Sequence, residues 1–379
     1  MKKFFYRSGI TVIASFLGVG LLMALIALGR QTEAPVETAL HKMSNGVVKL
    51  ENNLLLSNRK DCRAKKLQWL SALQTNKMQL AKSPKILFGA FDSEDAESFQ
   101  SLVNLEDSLH TKLPLISIYS AWGSQQTEAF PSEQVNAIAE MGSVPIITWE
   151  PWLTDFDTEK FPSLQSKNDK NGLANIAKGD YDFYLHKWAA DAKEFGKLLF
   201  VRPGHEMNDP YRYPWGPQNN KPAAYVSAWR HLVDLFRKDG ANNVIWVWSP
   251  HPAYENFDAY YPGDNYVDWV GMGILNYGTV ANWSKWWSFD DLMGNHYAKL
   301  EKFKKPIMIT EFGSLTVGGN RAVWFKKSFD SLSVKYPAIR SIVFYHCQND
   351  NTTTNKTLDW YFKDDQEVKN VLVAEIKKK

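Results

Sequence analysis

From residue 85 onward the chain alternates short apolar runs with longer stretches of helical character. The runs fall at 86–91, 115–119, 144–149, 198–202, 244–248, 267–274, 307–310 and 342–345, eight in all. Each has the length of a buried strand. Ser132 can cap a helix that ends before Gly142, and Pro222 suits the first turn of one carrying Tyr225, Val226, Trp229, Leu232, Val233 and Phe236. Similar helices fit 182–195, 290–303, 321–336 and 366–377. Strand and helix in alternation imply parallel strands joined by crossover helices. Eight such units in about 290 residues suit an α/β fold of the (β/α)8 kind, the TIM barrel. A doubly wound open sheet is the alternative, but its glycine-rich phosphate loop is missing.

The first 84 residues do not share this pattern. Lys2, Lys3 and Arg7 precede an uncharged run over 8–29 that is rich in Leu and Ile. That length matches a membrane anchor better than a cleaved signal, although Ala27-Leu28-Gly29 reads as a small-residue cleavage site. Positive residues ahead of the run keep that end in the cytoplasm and send the rest outward. Residues 30–84 are mostly polar and read as a stalk, in which Leu67, Leu70, Leu73 and Met78 fit one helix packed on the domain. The expected organisation is 1–29 anchor or signal peptide, 30–84 linker, and 85–379 catalytic domain. That domain is periplasmic or extracellular, tethered to the membrane if 1–29 stays and secreted if it is cleaved.

Composition narrows the class of partner. A net charge of +3 and the absence of a basic stripe interleaved with aromatics argue against nucleic acid. Fifteen Trp beside 16 Tyr and 21 Phe give many flat apolar faces of the kind on which sugar rings stack. Two cysteines, Cys62 and Cys347, draw neither a disulfide framework nor a cysteine-based zinc site.

In a (β/α)8 barrel the chemistry sits at the C-terminal ends of the strands. Several of the apolar runs end there in reactive or aromatic residues: Tyr119 with Trp122, Trp149 with Glu150, His205 with Glu206, Trp248 before His251, Asn276 with Tyr277, Glu311, and His346. The opposite ends, such as Gly142, Asn242 and Lys305-Pro306, are plain turns. Two strands, the fourth and the seventh, each deliver a single Glu, Glu206 and Glu311, across one mouth. Such a pair, with carboxyl groups about 5–5.5 Å apart, is the apparatus of a retaining glycosidase. Alone, either Glu would read as a loop salt bridge; Glu150, in Trp149-Glu150-Pro151-Trp152, reads equally as a sugar ligand or a salt bridge. His205-Glu206-Met207-Asn208-Asp209 fails as a zinc-protease motif, because Asp209 stands where the second His must be. His205 and Asn208 stand beside Glu206 as candidate sugar or carboxylate ligands, and Arg202 fits a buried ion pair under the site. Trp122, Trp149, Trp215, Tyr277 and His346 complete the candidate substrate contacts. No G-x-S-x-G elbow is present, and Cys347 beside His346 lacks an orienting partner.

Four blocks, Arg202-Pro-Gly-His-Glu-Met-Asn208, Tyr213-Pro-Trp-Gly216, Asn243-Val-Ile-Trp-Val-Trp-Ser-Pro250 and Lys305-Pro-Ile-Met-Ile-Thr-Glu-Phe-Gly313, resemble glycoside hydrolase family 26 over about 88–360. The resemblance implies Glu206 as acid/base, Glu311 as nucleophile, His205 as a partner of the acid/base, Trp215 as a wall of the cleft, and no metal or other cofactor. It implies a β-linked polysaccharide as substrate, mannan first and mixed-linkage β-1,3-1,4-glucan next; the membrane anchor, taken alone, points instead to a polysaccharide trimmed as the cell exports it. A carbohydrate-binding barrel without activity is the alternative of another class. Two departures stand out: Asp209-Pro-Tyr-Arg212 replaces the Gly and Trp that many members carry after the motif Asn, and Leu275 stands where members usually have a Tyr that bonds the nucleophile, a bond Tyr277 is placed to replace.

Overall fold

The computed structural model describes residues 46–48, 50–57, 59–94, 98–164, 169–351 and 356–378. The hydrophobic segment over 8–29 lies outside these, and no helix among the described residues is long and apolar enough to cross a membrane. Residues Glu51–Lys379 form one unit, the barrel.

Its eight strands are β1 Leu87–Asp92, β2 Leu115–Ala121, β3 Val144–Glu150, β4 Leu199–Pro203, β5 Val244–Trp248, β6 Trp269–Asn276, β7 Ile307–Ser314 and β8 Ile339–His346. They pair in parallel and in sequence order, and β8 closes on β1. The expected (β/α)8 barrel is the observed fold. Several strands run past their apolar residues into polar ones, as where Asn276 pairs with Ser314. The parallel ladder is made by backbone groups and does not stop where hydrophobicity does.

Side-chain parity sorts the strands into two cores. Leu87, Leu115, Ile146, Phe200, Ile245 and Met308 belong to a cluster inside the barrel, whereas Phe88, Ile116, Ile147 and Val201, one residue on, pack outward against the helices. The main covering helices are Gln100–Ser108, Ser132–Glu140, Asp182–Phe195, Pro222–Asp239, Phe289–Glu301, Arg321–Lys335 and Gln366–Ile376. The first of these, between β1 and β2, was not singled out from the sequence. Ser132 is the first helical residue rather than a cap, and no side chain caps that helix.

The residues read as the end of a stalk are part of the folded unit. Leu67, Leu70, Leu73 and Met78 do not share one helix: the chain forms Lys60–Ser71, a 3-10 turn Leu73–Thr75, and a second helix Lys77–Ala81. Asn76 breaks the run, its side-chain oxygen accepting the Met78 N–H at 2.7 Å as a cap, and Met78 is left exposed. Leu70 and Leu80 join the interior cluster and close the barrel at the N-terminal ends of its strands. Arg63, 1% exposed, holds the first helix there by an ion pair to Glu106 and by bonds to the Met141 carbonyl at 2.7 Å and Ser143 Oγ at 3.0 Å.

Candidate active site

At the opposite mouth β4 delivers Arg202 inward and then turns sharply. Gly204 and Glu206 both take left-handed backbone conformations, with φ of 51° and 53°. For a glutamate this costs about 1–2 kcal/mol. The strain is held by two backbone bonds, Glu206 N–H to the Ser249 carbonyl at 2.8 Å and Asp209 N–H to the Glu206 carbonyl at 2.9 Å. Strained backbone of this kind concentrates at functional sites.

Glu311 reaches the same mouth through an irregularity in β7. Met272 pairs with Ile309 but Gly273 pairs with Glu311, so Thr310 is an extra residue, a β-bulge that re-aims the side chain after it. Gly271 makes room for it: a Cβ there would lie 2.7 Å from Thr310 Cγ2. Gly273 adjoins both carboxylates. A Cβ on it would lie 3.7 Å from Glu311 Oε2 and 3.9 Å from Glu206 Oε1, so the two oxygens are no further apart than these distances laid end to end.

The two carboxylates have contrasting surroundings. Glu311 Oε1 accepts from Arg202 Nη2 at 2.8 Å and from the Tyr119 hydroxyl at 2.9 Å. Arg202 is fixed in turn by Thr148 Oγ1, at 2.8 Å from Nη2 and 3.1 Å from Nε. Glu206, 6% exposed, has Arg212 Nη1 at 3.1 Å and His251 Nε2 at 4.0 Å. Burial pushes its carboxyl up to about 7; Arg212 opposes the rise, and the Glu311 charge adds to it. Burial takes His251 down to about 4 and His205 well below the ordinary histidine value, helped for His205 by Arg202 and Arg212. Both imidazoles are therefore neutral near pH 7. Glu150 is also raised, by burial, against a 3.0 Å bond from Trp152 Nε1. Glu206, Asp209 and His251 bring three donor atoms within 4.8 Å of one another, the one grouping among the described residues with donors suited to a metal ion.

The other sequence candidates divide by parity and by bonding. Trp215 is 2% exposed, stacks under Tyr213 with centroids 4.5 Å apart, and donates from Nε1 to the His205 carbonyl at 2.7 Å. The partly exposed ring of that stack is Tyr213, whose hydroxyl meets His205 Nε2 at 3.0 Å. His205 thus bonds Tyr213, with Nδ1 3.9 Å from Glu150, rather than the Glu206 carboxylate. Tyr277 meets Trp283 and Trp360 edge-on at 5.2 and 5.0 Å, and Tyr119 on β2 donates its hydroxyl to Glu311.

Four candidates need correction. Asn208 spends its amide on loop backbone, donating to the His251 and Tyr254 carbonyls at 3.0 Å each and accepting from His251 N–H at 2.7 Å, so it shapes the mouth instead of meeting sugar. Trp149 follows inward Thr148 and faces outward, stacked on Trp188 at 4.1 Å; Trp122 packs on Trp149 at 4.6 Å. His346 likewise follows inward Tyr345 and is buried against Tyr361 at 4.0 Å, with Nδ1 2.7 Å from Asp92 Oδ2. These three belong to the shell behind the site. The sequence marks Tyr119 as a strand-end aromatic and places Arg212 and Tyr213 in the quoted blocks but gives none of them a role; following the inward parity of β2 from Leu115 through Ser117 points Tyr119 into the mouth.

A closed (β/α)8 barrel whose C-terminal mouth holds a buried carboxylate pair in unlike environments defines a glycoside hydrolase of barrel type. Residues 127–317, half of the chain, match the model of glycosyl hydrolase family 26. The chain belongs to that family. It is 33% identical over 282 residues to endoglucanase H of Acetivibrio thermocellus, an alignment covering 72% of this chain and 28% of that protein. It is 29% identical over 150 residues to the mannan endo-1,4-beta-mannosidase of Bacillus subtilis, covering 38% and 37%. The chain therefore spans well under half the length of these relatives. In fold it is similar to the catalytic domain of the Bacillus sp. JAMB-750 endo-beta-1,4-mannanase, with a TM-score of 0.58 and 17% identity over 82% of this chain and 90% of that one.

Proposed function

We propose that the chain is a retaining endo-β-glycanase that cleaves β-1,4 bonds by double displacement, with Glu311 as nucleophile and Glu206 as proton shuttle. The observation that carries this reading is the contrast between the two carboxylates: Glu311 accepts from both Arg202 and Tyr119, whereas burial pushes Glu206 up to about 7 although Arg212 lies beside it. In the first half-reaction Glu311 attacks the anomeric carbon while Glu206 gives its proton to the departing glycosidic oxygen. In the second, Glu206 takes a proton from water, whose oxygen attacks the same carbon and releases Glu311.

The polymer we favour is a β-glucan, because the endoglucanase aligns over 72% of the chain and the Bacillus subtilis mannosidase over 38%. Mannan is the second reading, supported by that mannosidase and by the mannanase fold neighbour. Barley β-glucan, lichenan, glucomannan and mannan incubated with the full chain separate the two, and binding without cleavage of all four sinks the enzyme reading. Glu206→Ala should lose far less activity on 2,4-dinitrophenyl glycosides than on polymer, since a good leaving group needs no acid. Equal loss on both would remove Glu206 from its role. The segment 1–29 is read as an anchor that holds the enzyme at the outer face of a membrane; recovery of the protein in the soluble culture fraction would count against it.

A further inference from the structure

Arg212 lies on the loop where the chain departs from its resemblance, and the mechanism above gives it no role. Its side chain is 21% exposed, its Nη1 is 3.1 Å from Glu206 Oε2, and its guanidinium sits 5.1 Å above the Tyr213 ring. Charged and titratable groups face Glu206 from several elements: Asp209 and Arg212 on its own loop, Arg202 on β4, His251 after β5 and Glu311 on β7. His251 is neutral near pH 7, and Arg202 is engaged by Glu311. Arg212 is the cation in direct contact with the Glu206 carboxylate.

A proton shuttle needs opposite states in its two halves. In the resting site the Glu311 charge opposes ionisation of Glu206 and helps it keep its proton. Once Glu311 has become a glycosyl ester that charge is gone, and a guanidinium 3.1 Å away is left to stabilise the carboxylate that must accept a proton from water. We propose that Arg212 is a positioning residue for the proton shuttle: it clamps the Glu206 carboxylate beside the cleft and favours the base form on which the second half-reaction depends. This rests on the reading of Glu206 as acid and base.

The test compares the full chain carrying Arg212→Met and Arg212→Lys with the wild type. With barley β-glucan and glucomannan, the alkaline limb of kcat/KM should move up by about one to two pH units in Arg212→Met, and Arg212→Lys should restore most of it. With 2,4-dinitrophenyl β-cellobioside and β-mannobioside, Arg212→Met should lower kcat roughly tenfold and KM in parallel, as glycosyl-enzyme accumulates. An unmoved limb with unchanged kcat overturns the proposal. If the Met variant does not fold, Arg212→Gln takes its place. Carbon-13 NMR of δ-labelled glutamate, with Glu206 assigned by its loss in Glu206→Gln, reads the same pair without turnover. Glu206 should titrate higher in the Arg212 variant, and an identical titration overturns the proposal. A fully active Glu206→Gln would instead defeat the shuttle reading, while the NMR would still report on the ion pair.

Discussion

Replacing Arg202 by methionine tests the nucleophile assignment most directly. The Arg202–Glu311 pair is nearly dry, with side-chain exposures of 2% and 12%, and a contact of 2.8 Å. Removing one partner of such a pair costs about 3–5 kcal/mol, because the other charge is left buried and uncompensated. Tyr119 still donates to Glu311, so the lower end of that range applies. Without the guanidinium the Glu311 carboxylate loses the donor that fixes Oε1, and the attack on carbon loses the stabilisation and aim which that contact supplied. At about 1.4 kcal/mol per tenfold, the loss in kcat/KM is on the order of a hundred- to a thousandfold. The assay uses 2,4-dinitrophenyl glycosides, whose departure needs no proton, so the loss reports on the nucleophile alone. Thr148→Val, which removes the hydroxyl that Arg202 bonds but leaves the charge, should cost about tenfold or less. Thermal melting separates misfolding from loss of chemistry. Folded Arg202→Met retaining more than a tenth of wild-type kcat/KM would refute the argument.

Other outcomes follow from the same geometry. Glu206 must carry a proton to act as acid and is pushed up to about 7, so kcat/KM on polysaccharide should fall as pH rises through that value; a flat profile between pH 6 and 9 would contradict it. Tyr213→Ala removes the partly exposed ring of the Tyr213–Trp215 stack: about 50 Å2 of lost apolar contact at about 25 cal/mol per Å2 raises KM roughly tenfold with kcat little changed, whereas Tyr213→Phe should keep KM near wild type. Arg63→Met, at the far end of the barrel, leaves Glu106 buried with Lys112 at 3.4 Å as its remaining cation. Chemical denaturation should show a loss of about 3 kcal/mol, and activity per folded molecule should not change.

The strands were legible because each is an apolar run of the right length, and the carboxylate pair was legible because two such runs end in glutamate. What escaped was direction. A strand presents alternate residues to opposite faces, so Trp149 and His346, one step beyond inward Thr148 and Tyr345, turn into the helical shell although both sit at strand ends rich in aromatics. Tyr119, in phase with Ser117, faces in and finds Glu311 192 residues away in sequence. The bulge at Thr310 could not be read at all, since an extra residue is defined by pairing with a neighbouring strand. The Arg212–Glu206 contact depends on how a loop folds back, which has no periodic signal.

The helices that close the barrel's lower end also constrain the order in which the molecule is assembled. Arg63 bonds residues 43 to 80 positions further on, and Lys77 donates to the Val244 carbonyl 167 positions away. On a ribosome the plug is made first, yet its seat is incomplete until the eighth strand has emerged, because the interior cluster includes Trp269, Met308 and Val343. Leu70 and Leu80 wait in water until then, a sticky surface on a nascent chain and a reason for the docking of this segment to come late in folding. A truncated chain begun at residue 85 would never seat the plug, leaving the floor of the barrel open and Glu106 without Arg63.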